Sequence, residues 1–213
     1  MELQKRVDDI AKGAALMTGT TYERVFIDGT AELLPNYTIE NTLYKNFQEI
    51  GVPQYSQEEL SYAKALRDTY TPSGKLPGIG AKADEKIGKL VKALTENMTK
   101  PINDFLMPMY SGRVFAPGSS DVGDVSWLTP TSQIEVVTWP ADMPGHSWQV
   151  VTCGKSSIAH KGMLTAAKVL AGTAIDLLTE PELLREAKEE FAEKAESGYI
   201  CPIEPGAVPI ALD

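Results

Sequence analysis

The first 36 residues constrain the fold of this chain more than any other feature. Leu3, Val7, Ile10, Ala14 and Met17 recur at spacings of four and three, the stripe of an amphipathic helix that Gly19 closes. Thr21 to Ile27 then alternates polar and apolar residues and reads as a strand half exposed to water. Thr30 to Leu34 reads as a second strand, ended by Pro35 and Asn36. One helix and an exposed strand pair are half of a small α+β sandwich, too little to bury both faces. The missing strands are expected from upstream sequence or from another chain.

After Asn36 the pattern turns to helices. Thr38 is placed as the cap of a helix carrying Ile39, Leu43, Phe47 and Ile50, stopped by Gly51 and Pro53. Ser56 to Glu59 is a capping box opening a helix through Leu60, Ala63, Leu66 and Tyr70. Residues 71–80 read as loop, and a third helix is expected over 81–97 with Ile87, Leu90, Val91 and Leu94 inward. Arg113 to Phe115 can form a short strand and Gln133 to Trp139 a better one. A long helix over 159–178 is expected to bury Met163, Ala167, Leu170, Ala174 and Leu177. Thr179 to Glu182 caps a last helix to about Ser197, and a proline-rich extended arm follows. No internal repeat is present.

The 213 residues are 43% hydrophobic, enough for a real core. A net charge of −9 with no Lys/Arg stripe argues against nucleic acid or an anionic membrane surface as partner. Cys153 and Cys201, far apart, read as free thiols of a reducing compartment. Met1 leads directly into the amphipathic helix, leaving no signal peptide to read. No apolar run approaches the roughly 20 residues of a membrane span. The sequons at Asn36 and Asn97 read as chance, and a cytoplasmic location is expected.

Chemistry concentrates in one stretch. Gly118 to Trp127, Pro144 to Gln149 and Gly154 to Met163 hold both histidines and two of the three tryptophans on turn-forming backbone. The Gly154-Lys155-Ser156 run is no P-loop, because position 149 is Gln where the pattern needs glycine. Gly78 to Ala83 approximates a dinucleotide fingerprint but lacks the preceding strand. His146 sits on a turn after the Gln133–Trp139 segment. It can be a metal ligand or an acid/base, with Ser147 or Gln149 fixing its tautomer, or simply a surface histidine. His160 near the start of the long helix can hydrogen-bond through its imidazole, or serves as a cap or packing residue. Asp121 and Asp124 share a face if helical, and can pair with a histidine, hold a metal or cap the turn. Cys153 suggests a thiol nucleophile, but one spacing shows no activation and packing is the simpler reading. Two histidines fall short of the roughly five or six ligands of a two-metal hydrolase. The residues describe part of a site.

Several runs together resemble one subunit family of the aminobenzoyl-glutamate hydrolases. They are Val7 to Thr18, Leu34 to Asn36, Ser120 to Trp127, His146 to Gln149, Ile158 to Met163 and the tail Cys201 to Ile203. The family comprises amidohydrolases of the zinc aminoacylase and carboxypeptidase type. The resemblance implies an α/β fold: the C-terminal segment of a two-metal aminopeptidase-like (phosphorylase/hydrolase-like) domain over 37–213. The end of a ferredoxin-like α+β lid that dimerises would occupy 1–36. The family's upstream histidine-rich metal motif, its paired glutamates with the general base, its His-Pro ligand and its lid histidine have no counterpart here.

By the same resemblance His146 matches the late metal-ligating histidine. Asp121 and Asp124 match the Asp-Val-Gly-Asp motif near the metals, as ligands or as support, and His160 joins them as a catalytic candidate. His160 and Lys161 match a motif that contacts a substrate carboxylate or steadies the His146 loop. Ser120, Trp148 and Lys161 fall on the substrate side. The implied activity is hydrolysis of the amide of an N-acyl or p-aminobenzoyl amino acid, with two divalent ions, Zn or Mn, in the intact enzyme. This chain alone is expected to bind metal partially or not at all and to be inactive. It would work as a homo-oligomer or with a complementing upstream polypeptide. The competing reading is a non-enzymatic binding or assembly module that uses the lid remnant to pair with another subunit.

Overall fold

The computed structural model describes residues 2–74, 85–96, 98–109, 118, 120–203 and 205–207. Among them the regular elements are α1 (Glu2–Thr18), α2 (Tyr37–Ile50), α3 (Gln57–Arg67), α4 (Glu85–Thr95), α5 (Val122–Ser126), α6 (Trp148–Cys153), α7 (Ser157–Thr179) and α8 (Pro181–Lys194). No strand occurs among the described residues, which overturns the α/β expectation and the sheets it implied for catalytic segment and lid. Residues 21–27 and 133–139 read as strands in the sequence, yet among the described residues no backbone pairs with theirs, and 30–34 forms no strand either. Alternation specifies which side chains face which way; a strand also needs a neighbouring backbone to satisfy its ladder. Arg113–Phe115 lies outside the described residues, as do the Gly78–Ala83 run and residues 81–84 and 97 of the third expected helix.

The chain divides into two compact units, residues 1–31 with 200–213, and residues 32–199. In the first, α1 ends at Gly19, whose φ of +66° suits glycine. Asp8 accepts a 2.5 Å hydrogen bond from the Tyr22 hydroxyl and lies 3.7 Å from Arg24. No residue of α1 is buried, and Leu3, Val7, Ile10 and Met17 all face solvent.

The second unit is built on α2, α7 and α8, which pack on one another. Helix α2 is capped by Asn36, whose side chain accepts from the Ile39 N–H and donates to the Ala187 carbonyl of α8. Thr38, expected as the cap, instead donates its hydroxyl to Glu190. The same carboxylate accepts the Tyr37 and Thr38 N–H groups and the Lys194 ammonium. Burial works to raise the pKa of Glu190, but Lys194, the Thr38 hydroxyl and these backbone donors outweigh it and hold the pKa at about 2. Lys194 also lies 3.7 Å from the centroid of the Tyr37 ring. Helix α8 starts on Pro181, which has no N–H to leave unsatisfied.

Helix α7 departs from expectation in a way that matters. Its buried residues are Ile158, Ala159, Gly162, Thr165, Val169 and Thr173, largely small or hydroxylated. The stripe expected inside turns out: Met163, Ala167, Leu170 and Ala174 are exposed and Leu177 is half-buried. The reason is close approach. A β-carbon on Gly162 would lie 2.3 Å from the Val137 carbonyl oxygen, and one on Gly172 2.2 Å from Asn46 Oδ1. Only a face without bulk lets α2 and the 133–139 segment come so near. Helix α7 is also long and apolar enough, by length and composition, to cross a membrane, contrary to the expectation from the sequence. It nevertheless carries Lys161, Lys168 and Asp176 and packs against α2 and α8. Helix α4 shows the same reversal more mildly: Val91 is buried, while Leu90 and Leu94 are exposed.

A second core holds the remainder together. Ala63 and Leu66 of α3, Ile102, Met143, Cys153 of α6 and Ile158 of α7 form one buried cluster with Tyr55, Tyr70 and Val137 at its edge. Helix α3 has the capping box read from the sequence, with Ser56 accepting from the Glu59 N–H and Glu59 from the Ser56 N–H.

Candidate functional site

Five-residue α5 and its flanks carry the motif from Ser120 to Trp127. Asp121 occupies the position before the helix without making a cap hydrogen bond, and Asp124 accepts from the Tyr199 hydroxyl at 2.7 Å. Asp121 therefore does not cap the turn, one of the roles the sequence left open for it. Ser120 is exposed and accepts from the Val122 N–H at 3.3 Å. Buried Ser126 accepts from the Leu34 N–H at 2.8 Å, and the Trp127 indole donates to the Glu32 carbonyl at 2.8 Å. The motif thus clasps two distant stretches, at 32–34 and at 199. A sequence motif selected as catalytic proves to hold backbone as well.

His146 lies between Pro144-Gly145 and α6, with φ of +53°. A non-glycine residue in the left-handed region costs about 1–2 kcal/mol, so this backbone is held by its surroundings. The residues expected to orient the ring are committed elsewhere. Ser147 caps α6 and donates to the Pro144 carbonyl, while buried Gln149 donates to Thr69. The imidazole is exposed, and Trp148 beside it is 59% exposed.

His160 is the fourth residue of α7 and exposed. Neither capping nor packing explains it, because Ser156 caps this helix by accepting from the Ala159 N–H. Its neighbour Lys161 is fully engaged. The ammonium donates to Glu59 and to the Gln54 carbonyl, each at 2.7 Å, and lies 5.6 Å from the Tyr55 ring centroid. Burial works to raise the pKa of Glu59, but Lys161, the Ser56 N–H and Ser157 outweigh it and hold the carboxyl at about 2. This pair ties α3 to the first turns of α7. The capping box was legible in sequence, whereas the lysine 102 residues away was not.

Cys153 is fully buried and directs its thiol at the Thr138 carbonyl at 3.3 Å. Burial raises its pKa, only partly offset by the Ser156 hydroxyl, so it packs as expected and is no activated nucleophile. Among the described residues, no three of His, Cys, Asp and Glu gather in a group that could hold a metal ion. Taken by themselves these residues do not fit a two-metal centre; His146 presents one imidazole.

A cleft of about 620 Å³ opens beside residues 133–143, with Leu43, Phe47, Phe105, Met107 and Trp139 among its lining. Among the described residues its charged lining is Glu40, Glu135 and Asp142. Tyr55 also lines it; among the described residues its buried hydroxyl has no partner, and its pKa is pushed up to about 12, first by burial and then by Glu59, Asp104 and Cys153. Only scattered apolar residues signal this cleft in the sequence.

With this geometry in hand, the chain can be set beside known proteins. It is 39% identical over 211 residues to a p-aminobenzoyl-glutamate hydrolase subunit of Escherichia coli (strain K12), and the match covers 97% of this chain. The family resemblance read from the sequence is thereby borne out. The chain spans 43% of that relative's length, consistent with a C-terminal portion of it. No protein-family model matches the chain, and no solved structure matches it.

Proposed function

We propose that this chain is one portion of a metal-dependent amidohydrolase that cleaves p-aminobenzoyl-glutamate or a related N-acyl amino acid, and that alone it is inactive. The carrying observation is the near full-length similarity to a protein named as a hydrolase subunit, of which the chain spans less than half. His146, on backbone with φ of +53°, and Trp148 at the start of α6 are both exposed, which supports a role toward something outside this chain. In the complete enzyme metal ions would supply a polarised water. The contribution of this chain would be the His146 imidazole toward one ion, with Asp121, Asp124 and His160 in support and Ser120 and Trp148 toward substrate; Lys161, held by Glu59 and the Gln54 carbonyl, would steady the first turns of α7 rather than touch substrate. The outward face of α7, with Met163, Leu170, Ile175 and Leu178 exposed, is a further sign of a larger body.

The test is release of p-aminobenzoate by the purified chain with added Zn or Mn, alone and with a polypeptide supplying the rest of the relative. Activity is expected only in the mixture. Robust metal-dependent hydrolysis by the chain alone would overturn the proposal.

One observation favours a second reading, a non-enzymatic assembly module. Helix α1 buries nothing and presents Leu3, Val7, Ile10 and Met17 outward as one stripe. A sedimentation mass of two chains that falls to one on Leu3→Lys with Ile10→Lys, without hydrolysis in any mixture, would support that reading instead.

A further inference from the structure

We infer that Ser147 is a positioning residue: its hydroxyl closes the bend that holds His146 in left-handed backbone, and so sets where the imidazole is presented. The inference rests on the functional reading above, in which His146 serves one metal ion. Ser147 acts through the backbone and not through the ring, its hydroxyl being committed to the Pro144 carbonyl.

The bend is closed by a side chain. In a β-turn the N–H of the fourth residue commonly donates to the carbonyl of the first. Among the described residues no backbone hydrogen bond joins Ser147 to Pro144. The Ser147 hydroxyl takes that carbonyl instead, at 2.7 Å. The same oxygen accepts the Val150 N–H at 3.5 Å and caps α6. One hydroxyl thus donates backward across the bend and accepts forward from the helix.

What the hydroxyl ties down lies between two fixed ends. Before the bend, Met143 is buried in the second core. After it, Val150 packs against that core and buried Gln149 donates to Thr69. Between these anchors Pro144, Gly145 and His146 are exposed. His146 has φ of +53°, a conformation that a β-carbon disfavours. The net worth of one neutral hydrogen bond is comparable with that penalty, so the bond decides which backbone prevails. A residue leaving the left-handed region swings its side chain to a new direction. A metal ligand has to be held within about 0.5 Å of its productive place, so such a swing costs metal retention.

Chemistry separates the closing of the bend from the capping of α6. An ionised aspartate accepts hydrogen bonds but donates none, and it is a good cap. Ser147→Asp therefore keeps the cap and loses the bond to Pro144. Ser147→Thr keeps both, and Ser147→Ala loses both.

The test uses the full chain with isotope-labelled histidine, in which His146 and His160 are the two reporters. A strong cross-peak between the amide and Cα protons of one residue marks positive φ. Native His146 should give it, and His160 within α7 should not. In Ser147→Asp the ratio of left-handed to ordinary backbone at His146 should fall by about fivefold. Helix content and the His160 signal should stay unchanged, and Ser147→Thr should restore the peak. The second readout is hydrolysis of p-aminobenzoyl-glutamate in a mixture with a polypeptide supplying the rest of the Escherichia coli relative. There Ser147→Asp should need about fivefold more Zn for its half-maximal rate, with KM for the amide unchanged. Ser147→Ala, which adds no charge, should share that Zn requirement, and Ser147→Thr should match the native chain. A native cross-peak in Ser147→Asp, or a lost peak with the Zn requirement unchanged, would overturn the inference and leave the functional reading standing. Absence of hydrolysis with the native chain in the mixture would bring down the functional reading, and the inference with it.

Discussion

Gly172 of α7 lies so close to Asn46 of α2 that a β-carbon on it would stand 2.2 Å from Asn46 Oδ1. Asn46 is 8% exposed and cannot simply swing away, because its amide donates to the Thr42 carbonyl and to Asp176 at 2.7 Å. The contact locks α2 onto α7 at the one point where both helices have yielded their bulk.

Gly172→Ala should therefore destabilise the protein. Alanine favours a helix interior by about 1 kcal/mol over glycine. The forced shift of a buried, hydrogen-bonded amide should outweigh that, for a net loss of roughly 1–3 kcal/mol. Urea unfolding followed by circular dichroism measures it, and a stabilised variant would show that the contact is loose.

Acid should release the clasp between α3 and α7. The folded pKa of Glu59 is about 2, below its ordinary 4.5. Its contribution is thus complete above about pH 4.5 and is lost as pH falls through 2. Glu190, also held at about 2, adds loss in the same window. Glu59→Gln should flatten the fall in stability between pH 4.5 and 2 while lowering stability at pH 7. An unchanged pH profile in that variant would remove the Lys161 pair from the account.

The two cysteines should react in a fixed order. Cys201 is exposed, while Cys153 is buried with a raised pKa. A thiol reagent at pH 8 is expected to modify Cys201 promptly and Cys153 only upon unfolding. Any hydrolysis restored by a companion polypeptide should survive Cys153→Ala. Loss of that activity with the fold intact would revive a thiol mechanism.

His146 offers a test of strain kept for function. With φ of +53° and an exposed ring, His146→Gly removes a left-handed penalty and buries nothing. Stability should rise by up to about 1 kcal/mol in thermal unfolding. In the complemented assay the same variant should lose hydrolysis. A variant that is more stable and equally active would free His146 from any catalytic part.

What the sequence alone determined here is local. The Ser56–Glu59 capping box, the Gly19 and Gly51 stops and the existence of α2, α3, α7 and α8 all rest on signals confined to a few neighbouring residues. So does the resemblance, carried by short runs such as His146 to Gln149. The tertiary structure decided which faces those elements present and what each polar group holds. Apolar periodicity pointed Met163 and Leu170 inward, but Gly162, Thr165 and Gly172 make the tighter contact, and the bulky stripe turns out. Alternation over 133–139 was equally readable, yet no described backbone pairs with it, since a ladder requires a neighbour that spacing cannot supply. The site divides along the same line. His146 was legible as a residue type on a turn, whereas Ser147 as a cap, Gln149 on Thr69 and Lys161 on Glu59 depend on groups brought together only by the fold. Periodicity and caps act within a turn or two of helix; burial and pairing are settled between segments far apart in the chain.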